Sequence, residues 1–302
     1  MTRFKRIVCP VDFSEASKHA FEYAVALARR YRAKLYLVHV VSPLVGMGRA
    51  DITTVLNTIK RGAAKHLVRL THQGAIRGVS PIIVLRVGEP DALIRQTAIA
   101  KKADVVIMGS HGLRGFQRWM IGSTTERLLR HLPIPILILP PCGSSKPATP
   151  NIKHLLVTTD FSKGSESAVS YALSLAQEFQ ARLTLLHVLP NLSGNISGFN
   201  DGVIYVTRQE QDQLKEEIRN RLKRLLPSTA RHQDRFRVEV SEGIASQQIR
   251  HWTEKTKADL LVMNIHGKGL IERALLGATA ERVIRAAPCP ILAVPPEADA
   301  PR

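Results

Sequence analysis

The sequence predicts an α/β protein of two tandem domains, each a doubly wound, open, parallel sheet of five strands. Three observations lead there. The 302-residue chain repeats itself once along its whole length. Within each half, short apolar runs alternate with segments of helical period. Hydrophobic residues make up 44% of the chain but aromatics only 5%, so Val, Ile, Leu and Ala fill the interior, as they do in a parallel sheet covered on both faces.

The repeat sets the domains. Ile7–Ser14 (IVCPVDFS) matches Leu155–Ser162 (LLVTTDFS), and Leu35–Val40 (LYLVHV) matches Leu183–Val188 (LTLLHV), both at an offset of 148. Ala103–Met108 (ADVVIM) matches Ala258–Met263 (ADLLVM), and Pro133–Pro141 matches Pro288–Pro296, both at an offset of 155. The second copy has therefore gained seven residues between its second and fourth strands. A period this long means duplicated domains rather than a solenoid. Domain one spans 1–142, a Gly/Ser/Pro-rich linker 143–150, and domain two 151–302.

Each element of domain one has its own signal. Strands are expected near 5–11, 34–40, 81–87, 104–109 and 135–139, and helices near 14–31, 52–73, 89–101 and 123–131. The first helix carries an apolar stripe of Ala16, Ala20, Tyr23, Ala24, Leu27 and Ala28, with Lys18, Glu22 and Arg29 turned away. The second helix is the most charged and the most exposed. Before it, Ser42–Ala50 holds Pro43, Gly46 and Gly48 and reads as a loop. In domain two, the extra residues fall within 189–240, where Ser193–Gly198 reads as part of a flexible lid.

Composition narrows the function classes. No run of eighteen apolar residues occurs and the first residues lack a signal-peptide core, so a soluble cytoplasmic protein is expected. Cys9, Cys142 and Cys289 are widely separated, which argues against a cysteine zinc site or a disulfide framework. The net charge of +18 is concentrated in residues 1–146, with 23 Lys and Arg against 8 Asp and Glu; residues 147–302 hold 20 against 17. A field of that sign attracts nucleotides, nucleic acid and anionic lipid alike.

A glycine pattern carries the candidate chemistry. Gly109-Ser110-His111-Gly112 is followed by nine residues and then Gly122-Ser123-Thr124. It runs from a strand end to a helix start, where free amides and the positive end of the helix dipole suit a phosphate. Arg114 and Arg118 lie between. The bland alternative stays open: the glycines shape turns and Ser123–Glu126 is a capping box. Asp12, at the carboxyl edge of the first strand, either binds an adenine amino group or ribose hydroxyl, or caps the next helix. His39 and His187 read as hydrogen-bonded histidines of apolar strands. No Ser-His-Asp order or carboxylate pair calls for catalysis.

Taken together, these motifs resemble the universal stress protein family, twice over, in its tandem form. The resemblance implies a Rossmann-like, adenine nucleotide alpha hydrolase-like fold of strand order 3-2-1-4-5, and a role in stress response. It implies ATP as the ligand, with or without Mg: Asp12 and the Val40 backbone hold adenine, while Gly109, Gly112, Gly122, Ser123 and Thr124 hold ribose and phosphates. It also implies a two-fold pairing of last strands, as a homodimer or, within this chain, between 134–139 and 290–294. Domain two departs from the pattern with Asn264 for the first glycine and Ala278 for the serine, the latter expected to remove a helix cap. Weak or absent nucleotide binding is expected there. The leading expectation is a nucleotide-responsive regulatory protein. A slow ATPase or phosphoryl-transfer enzyme and a non-specific binder of nucleic acid or lipid are the alternatives.

Overall fold

The computed structural model describes residues 4–42, 49–72, 76, 78–110, 121–140, 150–191, 196–197, 203–204, 207–231, 233–265 and 276–296. Domain one runs β1 (Arg6–Pro10), α1 (Glu15–Tyr31), β2 (Lys34–Val41), α2 (Arg49–His72), β3 (Ile82–Val87), α3 (Pro90–Ala100), β4 (Val105–Gly109), α4 (Ser123–His131) and β5 (Ile136–Leu139). Domain two runs β6 (His154–Thr158), α5 (Lys163–Phe179), β7 (Arg182–Leu189), β8 (Ile196–Ser197), β9 (Val203–Ile204), α6 (Arg208–Leu225), α7 (Ser228–Arg231), β10 (Phe236–Glu242), α8 (Ala245–Thr256), β11 (Leu260–Asn264), α9 (Ala278–Ala286) and β12 (Ile291–Val294). The expected elements of domain one all occur. The largest boundary difference is α2, which starts three residues before the expected position. The seven-residue gain lies in the stretch that holds the small β8–β9 hairpin; most of the expected lid at 193–198 lies outside the described residues.

Ten strands form one sheet in the order β10-β7-β6-β11-β12-β5-β4-β1-β2-β3. Each half is therefore a 3-2-1-4-5 parallel sheet, and the halves join through their last strands. β5 and β12 pair antiparallel, Ile138 opposite Ile291, Leu137 opposite Leu292 and Ile136 opposite Ala293. Leu137 and Leu292 are repeat equivalents, so the approximate two-fold axis of the molecule passes between them. The expected pairing of 134–139 with 290–294 is thus present inside one chain.

The strands are apolar because helices cover both faces. α1 and α2 pack on one face of domain one over Ile7, Leu35, Leu37 and Ile107. α3 and α4 pack on the other over Val8, Val38, Val106 and Ile138. α1 begins at Ser14, whose hydroxyl caps the Ser17 amide, and stops where Arg32 turns left-handed at φ 51°. α5 repeats both devices at Ser162 and Gln180. Aromatic residues are few and are spent at the junction: Tyr23 and its equivalent Tyr171 are buried, and Tyr31 meets Phe179 edge-on at 6.4 Å. Arg30 stacks on Phe179 at 4.3 Å, which covers apolar surface while keeping the guanidinium wet.

Candidate functional site

Strand order reverses between β1 and β4, because β2 lies on one side of β1 and β4 on the other. A crevice opens outside the carboxyl ends of the strands at such a switch point. Asp12 follows β1 and Gly109 ends β4, so the fold brings these two expected site residues to the same crevice. Val40 lies near the end of the neighbouring β2 and is half-buried.

Asp12 is held by its own turn. Its Oδ1 accepts the Ser14 amide at 3.0 Å and the Ser14 hydroxyl, and its amide donates to Ser17 Oγ at 3.3 Å. The carboxylate thus closes an Asx turn, and the helix cap proper is Ser14. This tight turn forces Phe13 to φ 68°, a conformation that costs a bulky residue about 1–3 kcal/mol. Ring contact offsets part of that cost. Phe13 lies 4.5 Å from the His39 ring and 5.2 Å from His66 of α2. The His39 Nδ1–H donates to the Val11 carbonyl at 2.7 Å. Burial lowers the His39 pKa, against the opposing pulls of that hydrogen bond and of the Asp12 charge. His39 is therefore a neutral brace between β1 and β2. The strained phenylalanine was not anticipated from the sequence, although the Asp-Phe-Ser triplet stands in both repeats.

The helix start differs from the expected capping box. The N-cap of α4 is Gly122, not Ser123, and no side chain caps the helix. Ser123 is the first helical residue and is exposed; Thr124, the second, is half-buried. The Gly122 amide donates to the Ser110 carbonyl at 3.0 Å, which fixes the helix start beside the end of β4. Buried Thr125, overlooked in the sequence, ties the same two elements through its hydroxyl to the Gly109 carbonyl at 3.2 Å. The first amides of α4 have no carbonyl partner within the helix and no side-chain oxygen from Gly122. Amides so placed, with the positive end of the helix dipole behind them, can take an anion.

Gly109 is explained by packing. A Cβ there would lie 2.9 Å from Ala16 Cβ and 3.0 Å from the Ala16 carbonyl, so its absence lets α1 approach β4. Gly112, with His111, Arg114 and Arg118, lies outside the described residues.

Domain two repeats the frame. Asp160 Oδ1 accepts the Ser162 amide at 3.0 Å, Phe161 stands at φ 62°, and His187 bonds the Thr159 carbonyl at 2.8 Å. α9 starts at Gly277 with φ −62° and ψ 136°, against −60° and 138° at Gly122. The Gly277 amide donates to the Ile265 carbonyl at 3.0 Å. Ala278 is the first helical residue, so its lack of a hydroxyl removes no cap; that expectation is corrected. Asn264 is accommodated by a compensating change: the residue facing it, where domain one has Ala16, is Gly164. A cleft of about 480 Å³ opens here, lined by Asp160, Val188, Asn264, Gly277, Ala278 and Thr279 among others. The differences that survive are Ala278 for Ser123, Ala280 for Thr125 and the Asn264 side chain on the cleft wall.

Among the described residues, no three His, Cys, Asp or Glu side chains gather as a metal site, and no helix is long and apolar enough to cross a membrane. Cys9 and Cys289 are buried, and desolvation pushes the Cys289 thiol up to about 12.

Comparison with known proteins agrees with this architecture. The family model described as universal stress protein family matches residues 3–140 and again 151–295. A universal stress protein of Mycolicibacterium smegmatis is 28% identical, with 96% of this chain and 97% of that protein aligned. One from Methanocaldococcus jannaschii is 34% identical over 47% of this chain and 81% of its own length. The crystal structure of a universal stress protein from Archaeoglobus fulgidus superimposes with a TM-score of 0.70 at 21% identity, covering 97% of this chain and 98% of that one. With its profile met twice in order, and each match folding as one half of the sheet, the chain belongs to the universal stress protein family and carries two of its domains in one polypeptide.

Proposed function

We propose that domain one binds ATP and that the complex acts as a nucleotide-responsive regulatory protein. One observation carries the reading: α4 starts at an uncapped glycine, at the switch point of the sheet, across from Asp12. Amides left without a partner in that position suit a phosphate chain, and the Ser123 and Thr124 hydroxyls add donors. Asp12 and the Val40 backbone supply polar groups for the base and ribose at the other end of the crevice. In this reading Gly112 belongs to the same site, and Mg²⁺ enters with the phosphates. The surplus of cations in domain one raises the local concentration of any polyanion.

Domain two binds the same ligand more weakly in this reading. Its cleft keeps the backbone donors of α9, but Ala278 removes the hydroxyl that Ser123 offers in domain one. A missing donor opposite a phosphate oxygen costs about 1–3 kcal/mol when the partner is charged.

Calorimetric titration of the full chain with ATP, with and without Mg²⁺, tests the assignment. Wild type is expected to show one dominant site, and Gly122→Ala to weaken it by crowding the phosphates with a methyl group. An unchanged affinity in Gly122→Ala places the ligand elsewhere.

A further inference from the structure

The two ends of the ten-stranded sheet are repeat equivalents with different charge. At the domain-two end, α6 and β10 mix signs: residues 208–242 hold nine Lys and Arg and seven Asp and Glu. Lys215 pairs with Glu242 at 3.0 Å, and Arg219 with Glu216. Arg221 stacks on Phe161 at 4.0 Å. At the domain-one end, the stretch from Ile52 through Gly88 contains no Asp or Glu, yet holds six Lys and Arg. The fold itself does not require that imbalance, since its twin manages without it.

Three of those cations share one exposed face of α2: Arg61, Lys65 and Arg69. They follow one another at four-residue steps, about 6 Å apart along the axis. Four of the domain's eight carboxylates are held by other cations, and Asp51, the acid within α2, stands in its first turn, ten residues before Arg61. Glu15 pairs with Lys18, Asp91 with Arg127, Glu126 with Arg130 and Asp104 with Arg6. Holding like charges on one helix face is unfavourable by a few tenths of a kcal/mol per pair.

We infer that this face of α2 is a docking surface for the phosphate backbone of double-stranded nucleic acid, engaged without regard to sequence. Charge complementarity selects a polyanion, and the rest of α2 selects among polyanions. Its apolar side, Ala63, Leu67 and Leu70, is buried against the sheet; among its described residues Val68 is the one large hydrophobic left exposed, too little to enter a bilayer as the apolar face of an interfacial helix does. α2 contains no Phe, Tyr or Trp on which unpaired bases could stack. A duplex backbone asks only for spaced cations. The 24-residue helix is about 36 Å long, the length of about ten base pairs. This surface lies on the outer end of the sheet and is independent of the ATP assignment.

The test is fluorescence anisotropy of a labelled random-sequence DNA duplex titrated with the full chain over a range of salt. Three phosphate contacts give a slope of log affinity against log salt of about −2.7, a loss of about fortyfold between about 50 and 200 mM. The combined variant Arg61→Gln, Lys65→Gln and Arg69→Gln, which keeps good helix formers, is expected to lose at least about tenfold at low salt and most of that slope. Circular dichroism of that variant confirms that the helices persist. Neutralising Lys215, Arg219 and Arg224 on α6 is expected to leave binding near wild type. Wild-type affinity and slope in the α2 variant overturn the inference, as does an equal loss in the α6 variant, which would make net charge the cause. Tighter binding to phosphatidylserine vesicles than to the duplex overturns it in favour of a membrane partner.

Discussion

Asn264 of β11 fits against Gly164 of α5 only because that glycine has no side chain: a Cβ on Gly164 would lie 2.5 Å from Asn264 Nδ2 and 3.0 Å from its Cγ. Domain one solves the same helix–strand contact the other way, with the glycine on the strand at Gly109 and the larger residue on the helix at Ala16. The altered motif in domain two is therefore a reciprocal exchange of volume. It leaves the start of α9 in the same backbone geometry as that of α4.

Gly164→Ala is expected to destabilise domain two by about 1–3 kcal/mol through overpacking. Adding Asn264→Gly to it restores the domain-one pairing and is expected to recover most of the loss. Urea denaturation of the single and double variants gives the coupling, and additive losses would mean that the two residues do not interact.

Gly109→Ala is expected to cost about as much, about 1–3 kcal/mol, but with poorer rescue. Its Cβ meets the backbone carbonyl of Ala16 as well as the methyl group, and Ala16→Gly removes only the methyl. Thermal melts of the pair would show incomplete recovery.

Ser123→Ala separates ligand from fold. Since Gly122 is the N-cap and Ser123 caps nothing, the variant is expected to melt within a few tenths of a kcal/mol of wild type while its ATP affinity falls. A loss near the roughly 1 kcal/mol of a removed cap would show that the serine serves the helix after all.

Gly62 interrupts α2 on its exposed side, and a Cβ there would meet nothing within 4 Å. Gly62→Ala is expected to stabilise the protein by about 0.5–1 kcal/mol, measured as a shift of the urea midpoint at constant slope.

Burial lowers the pKa of both His39 and His154. The unfolded chain, with histidines near 6.5, then takes up protons before the folded one does. Stability from these groups is full above about pH 6.5 and is lost as pH falls towards their folded pKa values. A His39→Gln, His154→Gln variant is expected to show a shallower decline between about pH 6.5 and 5, read from urea midpoints across that window.

The repeat made most of the fold legible. The match of Ile7–Ser14 with Leu155–Ser162 and the three that follow it show four of the five strands twice, and the final pair at 136–139 and 291–294 locates the junction. The helix start at Gly122 was misread because Ser123–Glu126 has the sequence of a capping box, and only backbone angles show which residue is half inside the helix. Phe13 was missed because positive φ in a bulky residue comes from tertiary support, here His39 on β2 and His66 on α2. The purpose of Gly109 depended on which helix crosses β4, and the exchange of Gly164 with Asn264 becomes readable only after that contact is known.

Native mass spectrometry of the full chain with ATP addresses the main proposal most directly, because it counts bound molecules and is repeated easily on variants. One tightly held ATP per chain is predicted, lost in Gly122→Ala and kept in Gly277→Ala. Retention in the first variant with loss in the second, or no bound ATP at all, would contradict the assignment of the nucleotide to the crevice between β1 and β4.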